Sequence, residues 1–133
     1  MNQKIILQEI DLPKTNKSFD EIKWICESFG FIEGRDTSQN SFNILNELLK
    51  QFSKKELVST KNLKNSLKIK SHTINHHIRN LVNSGIIYRE KRKIKLRGKN
   101  LTASIQEMKR DSDKMFEMIL EISKKIDEKI KLS

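Results

Sequence analysis

The chain has 133 residues, of which 35% are hydrophobic and 33% charged, which suits one compact domain with a modest apolar core. Four glycines, one proline and 6% aromatic residues favour helices over an all-β sandwich. The single cysteine excludes an intramolecular disulfide framework. No apolar run has the length of a membrane span or the pattern of a signal peptide, so we expect a cytoplasmic protein without a membrane partner.

The positive charge of the chain is concentrated in its middle. The formal net charge is +10, from 27 lysines and arginines against 17 acidic residues. Residues 54–99 hold 14 of the basic and two of the acidic residues, a local net charge of +12, so the remainder of the chain carries −2. Such a localised positive footprint favours a polyanionic partner, with nucleic acid ahead of an anionic membrane surface.

An N-terminal extension with one helix is predicted for residues 1–36. Its first 17 residues contain an apolar cluster that fits either an edge strand or a helical turn, and the sequence does not decide between them. Ser18 and Glu21 form the pattern of a capping box, and an apolar stripe at helical spacing then runs to Gly30 as a C-cap. Cys26 lies on that stripe, which predicts a buried, unreactive thiol.

The next domain, residues 37–98, has a pattern of three helices. The first is predicted to start near residues 37–38, and the second spans 60–67. A three-residue connection leads into a third helix over 71–83, which ends at Gly85. Two helices joined by so short a connection are typical of a helix-turn-helix.

After Gly85 the hydrophobic period changes, and residues 86–89 and 93–97 form two short β-prone runs around a polar turn. The runs predict a hairpin that is crowded with basic side chains. Lysines on an edge strand discourage sheet-to-sheet pairing, but that role explains one or two of them and not this number. Contact with phosphates is the better explanation, and it predicts strong salt dependence. We call this hairpin the wing. The wing residues that we expect to contact DNA are Arg89, Lys91, Arg92, Lys93, Lys95 and Arg97.

One face of the third helix is apolar and is expected to pack on the core, whereas the opposite face, with Asn75 and His77 at its flanks, lacks acidic residues and is rich in hydrogen-bond donors. Arg can pair with guanine, Asn with adenine, and Thr or His with base edges or phosphates. An exposed structural helix would normally mix Glu with Lys, so the absence of Glu favours contact with DNA. The residues that we expect to contact DNA on this helix are Ser71, His72, Thr73, Asn75, His76, Arg79 and Asn80.

Other chemistry is less well supported by the sequence. His72 and His76 have a spacing that could place two imidazoles on a transition metal, but no nearby Cys or carboxylate completes a tetrahedral set. Protonation of the same histidines could instead make DNA binding depend on pH. No nucleophile–base pair, Gly-rich phosphate loop or paired carboxylates indicate catalysis. We therefore predict no metal, no cofactor and no enzymatic activity.

From residue 99 to the end the chain has no Gly or Pro and is predicted to form one long helix of roughly 50 Å. Its apolar residues follow heptad spacing, with Ser112 at the one weak position. Such a stripe can pack on its own domain, but a second copy is the natural partner in a DNA-binding protein, with two DNA-reading helices about 34 Å apart. The predicted dimerisation residues are Leu101, Ile105, Met108, Met115, Ile119, Ile122 and Ile126.

The order of these elements is that of a winged helix-turn-helix, and residues 60–97 resemble transcription regulators of the ArsR/MarR kind, especially archaeal ones. Within this stretch, 71–87 looks like the family's recognition helix followed by its step into the wing. The segment 96–101 and the terminal helix are similar to an archaeal subgroup of regulators. The resemblance implies sequence-specific DNA binding and dimerisation. It does not imply a metal site, because the cysteine pairs of ArsR-type sensors are missing, and it leaves any effector open.

The sequence thus predicts a mainly α fold: a three-helix core with a two-stranded β-wing, an extra N-terminal helix and a long C-terminal dimerisation helix over residues 99–133. Its predicted function is that of a homodimeric regulator of transcription that binds specific sequences in double-stranded DNA. Two other interpretations remain open: an architectural or protein-interaction module of a transcription or chromosome complex, and an RNA-binding winged helix.

Overall fold

A computed structural model describes residues 2–32 and 40–133. The protein is mainly helical and has one three-stranded antiparallel sheet with the strand order β1-β3-β2. The predicted start of the second helix, near residues 37–38, lies outside the described residues. No helix in the described ranges is long and apolar enough to cross a bilayer. The elements are α1 (Ser18–Ser28), α2 (Asn40–Phe52), β1 (Val58–Ser59), α3 (Thr60–Leu67), α4 (Ser71–Ser84), β2 (Ile87–Glu90), β3 (Lys93–Leu96) and α5 (Leu101–Ile130).

The hydrophobic core lies between α2, α3, α4 and the inner face of the sheet. Apolar residues at helical spacing turn one face of each helix inward, and alternate residues of β3 do the same for the sheet. This packing holds α4 with its polar face outward. The buried apolar residues of these elements are Phe42, Ile44, Leu45, Leu48, Val58, Leu63, Ile74, Ile78, Leu81, Ile87, Ile94 and Leu96.

The strand β1 was not predicted from the sequence. It pairs with β3 in antiparallel register, with Val58 opposite Ile94 and Ser59 opposite Lys93. Two residues are too few to produce a periodic signal, so only the pairing reveals the strand. The Ser59 hydroxyl accepts a hydrogen bond from the backbone N–H of Asn62 (3.1 Å) and caps α3. The sheet therefore joins the start of α3 to the hairpin.

The predicted hairpin is confirmed, with a tighter turn than expected because Glu90 belongs to β2. The turn residues Lys91 and Arg92 have φ angles of 49° and 69°, the left-handed values of the two-residue turns that match strand twist. Glycine, Asn or Asp usually occupies such positions, because other side chains meet a steric cost there. Here two cationic side chains occupy the hairpin tip despite that cost.

The capping box predicted for α1 is wrong. The helix begins at Ser18, so Lys17 occupies the N-cap position and makes no side-chain capping bond. The nearby Thr15 hydroxyl instead bonds to the Asp20 carboxylate. A serine within the first turn has helical backbone angles, so it cannot occupy the extended N-cap position that the capping box requires.

The end of α1 agrees with the sequence. Gly30 follows the helix with a φ of 65°, the left-handed conformation that favours glycine just beyond a C-cap. Cys26 is fully buried, as predicted. Burial first, and then the nearby Glu27 charge, raise the pKa of its thiol to about 12. The thiol therefore stays protonated at neutral pH, and the thiolate that reacts with oxidants does not form.

The N-terminal segment, residues 2–13, is neither strand nor helix. Two of its backbone N–H groups bond to the ends of helices. The Lys4 N–H donates to the carbonyl of Asn83 near the end of α4 (2.9 Å), and the Gln8 N–H donates to the carbonyl of Ser28 at the end of α1 (2.8 Å). Such isolated bonds to helix carbonyls satisfy groups that the helices leave unpaired, but they do not repeat as a ladder does. This pattern explains why hydrophobic periodicity did not decide the structure of this segment.

The helix α5 begins after Asn100, whose side chain accepts a hydrogen bond from the Ala103 N–H (2.8 Å). Its 30 residues make it about 45 Å long. Only Ser104 and Met108 are buried on it, and every residue from 116 to the end except Ser123 is exposed. The helix therefore packs on its own domain near its start and leaves its second half uncovered.

The approach of β3 to α5 requires a glycine at position 98. A Cβ there would lie 2.7 Å from the Ala103 Cβ and 2.8 Å from the Ser104 nitrogen. We expect Gly98→Ala to lower the free energy of unfolding by about 2 kcal/mol, since backbone must move to relieve the clash. Urea unfolding measures this change. The matched variant is Thr102→Ala, which changes an exposed residue in the first turn of α5. It should change the free energy of unfolding by less than about 0.5 kcal/mol. Equal losses for the two variants would contradict a clash between the added Cβ and α5.

Candidate nucleic-acid interface

The outward face of α4 carries the first set of predicted DNA contacts. His72, Asn75, His76 and Arg79 are exposed, as is Ser71 at the start of the helix. Thr73 and Asn80 are half-buried at the borders of this face. This face is exposed because the apolar residues of α4 pack in the core on the opposite side. The helix contains no acidic residue. We call His72, Asn75, His76 and Arg79 the α4 face.

The start of α4 adds to the positive potential. Lys70 occupies the N-cap position without a side-chain capping bond, and the first turn has no acidic residue. The first N–H groups of a helix lack intrahelical partners and carry the positive end of the helix dipole. An anion near this end is therefore stabilised, as a DNA phosphate would be.

His77 lies elsewhere than expected. The sequence placed it at the flank of the polar face, whereas the structure buries it to 7% exposure, with its ring centroid 5.1 Å from that of His76. The ring follows Ile74 by three residues and precedes Leu81 by four, so it shares their side of the helix. No three His, Cys, Asp or Glu side chains converge within residues 2–32 and 40–133 in a way that could hold a metal.

The hairpin tip forms a second basic group. Arg89, Lys91, Arg92 and Lys93 are all exposed, and none of them makes an ion pair with another described residue. The left-handed turn places two of these cations at the tip, and Glu90 is the only acidic residue of the hairpin. Unpaired cations can exchange their counterions for phosphates, which releases salt and favours binding. We call these four residues the wing-tip cluster.

Lys95 lies at the other end of the hairpin and is paired with a carboxylate. Its Nζ atom is 2.6 Å from Glu56 Oε1 and 5.9 Å from the centroid of the Tyr88 ring. The hydrogen bond and charge of Lys95 lower the pKa of Glu56, while the hydrogen bonds to Glu56 and Tyr88 raise the pKa of Lys95. Both groups stay charged and paired, so Lys95 contributes less to the positive footprint than the wing-tip cluster.

Arg97 was predicted to contact DNA, but its half-buried guanidinium is held by hydrogen bonds within the domain. Its Nη1 atom donates to Asp111 Oδ2 (3.0 Å) and to the Gly85 carbonyl (3.2 Å), and its Nη2 atom donates to Asp111 Oδ1 (3.3 Å). The Gln3 amide also donates to Asp111 Oδ2 (2.8 Å) and to the Ser84 carbonyl (3.2 Å). These residues form the Asp111 network, which joins the N-terminal segment, the end of α4, the hairpin and α5. We therefore remove Arg97 from the candidate interface.

Four lysines around α3 were not assigned to DNA contact, although they contributed to the +12 segment. Each is exposed, and none pairs with an acidic side chain in the part of the chain that the structure describes. Lys68 takes a left-handed conformation with a φ of 55°, which ends α3 and begins the turn to α4. Their position in the sequence, just before the helix with the polar face, is the signal that could have identified them as candidate DNA contacts. We call these four residues the α3 lysines: Lys61, Lys64, Lys68 and Lys70.

The predicted dimerisation residues are split by the structure into two groups. Met108 is buried in its own domain, and Leu101 and Ile105 are partly buried against the same core. Ile119, Ile122 and Ile126 are exposed, and Met115 lies between the two states. Met108 is therefore not available to a partner, and only the second half of α5 offers a free apolar face.

Comparisons with known proteins find no family model, curated protein or solved structure that matches the chain. The resemblance to ArsR/MarR-type regulators thus remains a prediction that rests on residues 60–97. The candidate interface consists of the α4 face, the wing-tip cluster and the α3 lysines. It is defined by the exposure and charge of these residues and not by similarity to another protein.

Proposed function

We propose that the protein is a winged helix-turn-helix regulator of transcription that binds specific sequences in double-stranded DNA. The helix α4 acts as the recognition helix, and the β2–β3 hairpin acts as the wing. The observation that carries this proposal is the α4 face, which is exposed, free of acidic residues and rich in groups that pair with base edges.

The α4 face and the two groups of basic side chains have different roles in this proposal. Arg79 suits the paired acceptors of guanine and Asn75 suits adenine, so the α4 face supplies sequence discrimination. The wing-tip cluster and the α3 lysines bind phosphates, which are the same in every sequence, and they supply affinity. The start of α4 positions the helix against the DNA backbone.

We further propose that two copies act together through α5. The support is the exposed apolar face of its second half, which the protein's own core leaves uncovered. A two-fold dimer presents two recognition helices to two half-sites and thereby increases both affinity and specificity.

Arg79→Ala tests the reading role of α4. Genomic fragments that the protein retains at low salt would be selected and sequenced, and binding to a selected site and to an unrelated duplex would then be measured by fluorescence anisotropy. We expect Arg79→Ala to weaken binding to the selected site by about 10- to 100-fold and to change binding to unrelated DNA far less. Lys64→Ala is the control, because loss of one phosphate contact should weaken both duplexes alike and lower the salt slope by about one.

Three outcomes would contradict the proposal. No retention of any duplex at low salt would exclude DNA binding. Equal affinity for all duplexes would instead indicate an architectural module, and stronger competition by RNA than by duplex DNA would indicate an RNA-binding protein.

A further inference from the structure

The second half of α5 exposes an unusually large apolar surface. Ile119, Ile122 and Ile126 are 58%, 54% and 46% exposed, and Phe116 on the same side is 59% exposed. Monomeric proteins seldom leave a continuous apolar patch of this kind in water. Nothing in the described part of the chain covers it, so this face is open to a partner with an apolar surface of its own.

The stripe has a polar residue at each end. The heptad positions of this stripe begin with Ser112 and end with Lys129. The four positions between them are apolar: Met115, Ile119, Ile122 and Ile126. If two copies paired in parallel, each residue would face itself, and two Lys129 ammonium groups would meet in the interface. An antiparallel pair avoids this repulsion, because it brings opposite ends of the stripe together.

We propose that the partner is a second copy whose α5 runs antiparallel, with the two-fold axis between Leu120 and Glu121. In this register Met115 packs against Ile126 of the second copy, and Ile119 packs against its Ile122. All four apolar positions are then covered by one another. The two polar positions also meet, with Ser112 opposite Lys129.

Neighbouring registers are worse. Moving the axis 3.5 residues towards the N-terminus would place Ile126 opposite Met108, which is only 1% exposed in its own domain. Moving it equally far towards the C-terminus would place the Lys129 ammonium against Ile119. Only the central register matches apolar with apolar and polar with polar residues.

Charge and shape around the stripe fit the same register. Lys129 of one copy would lie beside Asp113 on the other, an exposed carboxylate that already pairs with Lys109 of its own helix, and would add a weak attraction at the rim. On one flank, Phe116 would lie across from Ser123, so that a large ring meets a small side chain. In the parallel pair, Phe116 would instead flank Asp111, which already bonds to Arg97.

The antiparallel pair has a consequence for DNA. Met108 anchors α5 in the core and lies about 19 Å along the helix from the proposed axis, so the two cores are about 38 Å apart in this direction. Successive major grooves on one side of a duplex are separated by about 34–36 Å. The helix pairing rests on the proposed dimer through α5, and only the match to the groove spacing rests on the proposed DNA binding.

Cysteine cross-linking of the full chain tests the register. Met115→Cys and Ile126→Cys are made separately, and the two proteins are examined alone and after mixing, by mild oxidation and a non-reducing gel. In the proposed pair, these positions face each other across the interface, whereas two copies of Met115 lie about 17 Å apart, beyond the reach of a disulfide. The wild-type chain, whose Cys26 is buried, is the control.

We expect covalent dimer only in the mixture, in about half of the chains, which is the statistical share of mixed dimers within disulfide reach. Self-linking of Met115→Cys without a gain on mixing would show a parallel pair and overturn the inference. A monomer in sedimentation of the unmodified chain would overturn it as well. Because these measurements contain no DNA, failure of DNA binding alone would refute the proposed function and leave the helix pairing intact.

Discussion

Charge reversal at the hairpin tip, in the double variant Arg92→Glu and Lys93→Glu, is expected to weaken binding to duplex DNA by roughly 100-fold near 0.1 M salt. Two phosphate contacts are lost, and the new carboxylates repel the DNA backbone. The logarithmic dependence of affinity on salt should also become shallower by about two. Fluorescence anisotropy titrations at several salt concentrations measure both effects, for a selected site and for an unrelated duplex.

The matched control is Lys14→Glu with Lys124→Glu. This pair changes the net charge by the same amount, and both lysines are exposed but lie outside the basic segment. We expect less than about a threefold change in affinity, because screening removes most of the effect of distant charges. A loss as large as that of the tip variant would mean that overall charge, and not the wing, drives binding.

The second large effect concerns the Asp111 network. Desolvation raises the pKa of Asp111, but the hydrogen bonds from Gln3 and Arg97 and the charge of Arg97 outweigh it, so the pKa falls below its ordinary value of 3.8. The carboxylate is 17% exposed and holds the Arg97 guanidinium by two hydrogen bonds. We expect Asp111→Asn to lower the free energy of unfolding at pH 7 by about 2 kcal/mol, since it removes a largely buried charged partner.

The same variant has a distinctive pH dependence. Because folding lowers the pKa of Asp111, its ionised form stabilises the protein above pH 3.8, and this contribution is lost as the pH falls through the folded value. The stability difference between the wild type and Asp111→Asn should therefore be constant from pH 7 to 5 and shrink below about pH 4. Urea unfolding across this range measures it.

Asp113→Asn provides the control for the network. Its carboxylate is 61% exposed and lies 3.6 Å from Lys109 in an ordinary pair on the helix surface. We expect a loss of less than about 0.5 kcal/mol. A similar loss for both variants would show that Asp111 acts only through the surface charge of α5.

Much of the local structure could be predicted from the sequence. The helices α3 and α4, the hairpin and the long α5 were each indicated by a regular hydrophobic period and by the residues that end it, such as Gly85. These signals are local, because an element buries one face and the period follows from its own geometry. The capping box at Ser18 failed because one extra residue in the helix changes which side chain can reach the backbone.

The candidate site was only partly predictable. Exposure of the α4 face follows from the burial of the opposite side, which the pattern contains. By contrast, the sequence shows Lys93, Lys95 and Arg97 as three equivalent basic residues at alternate positions. Their partners, Glu56 for Lys95 and Asp111 for Arg97, lie far away in the chain, and so only the folded structure distinguishes them.

The sequence by itself therefore determined the helical class, the basic segment and the direction in which α4 turns its polar side, since all three depend on the order of neighbouring residues. The tertiary structure decided which wing cations pair with acidic side chains, that β1 completes the sheet, and that Met108 belongs to the core while Ile122 does not. These depend on contacts between residues distant in the chain, which no local period records.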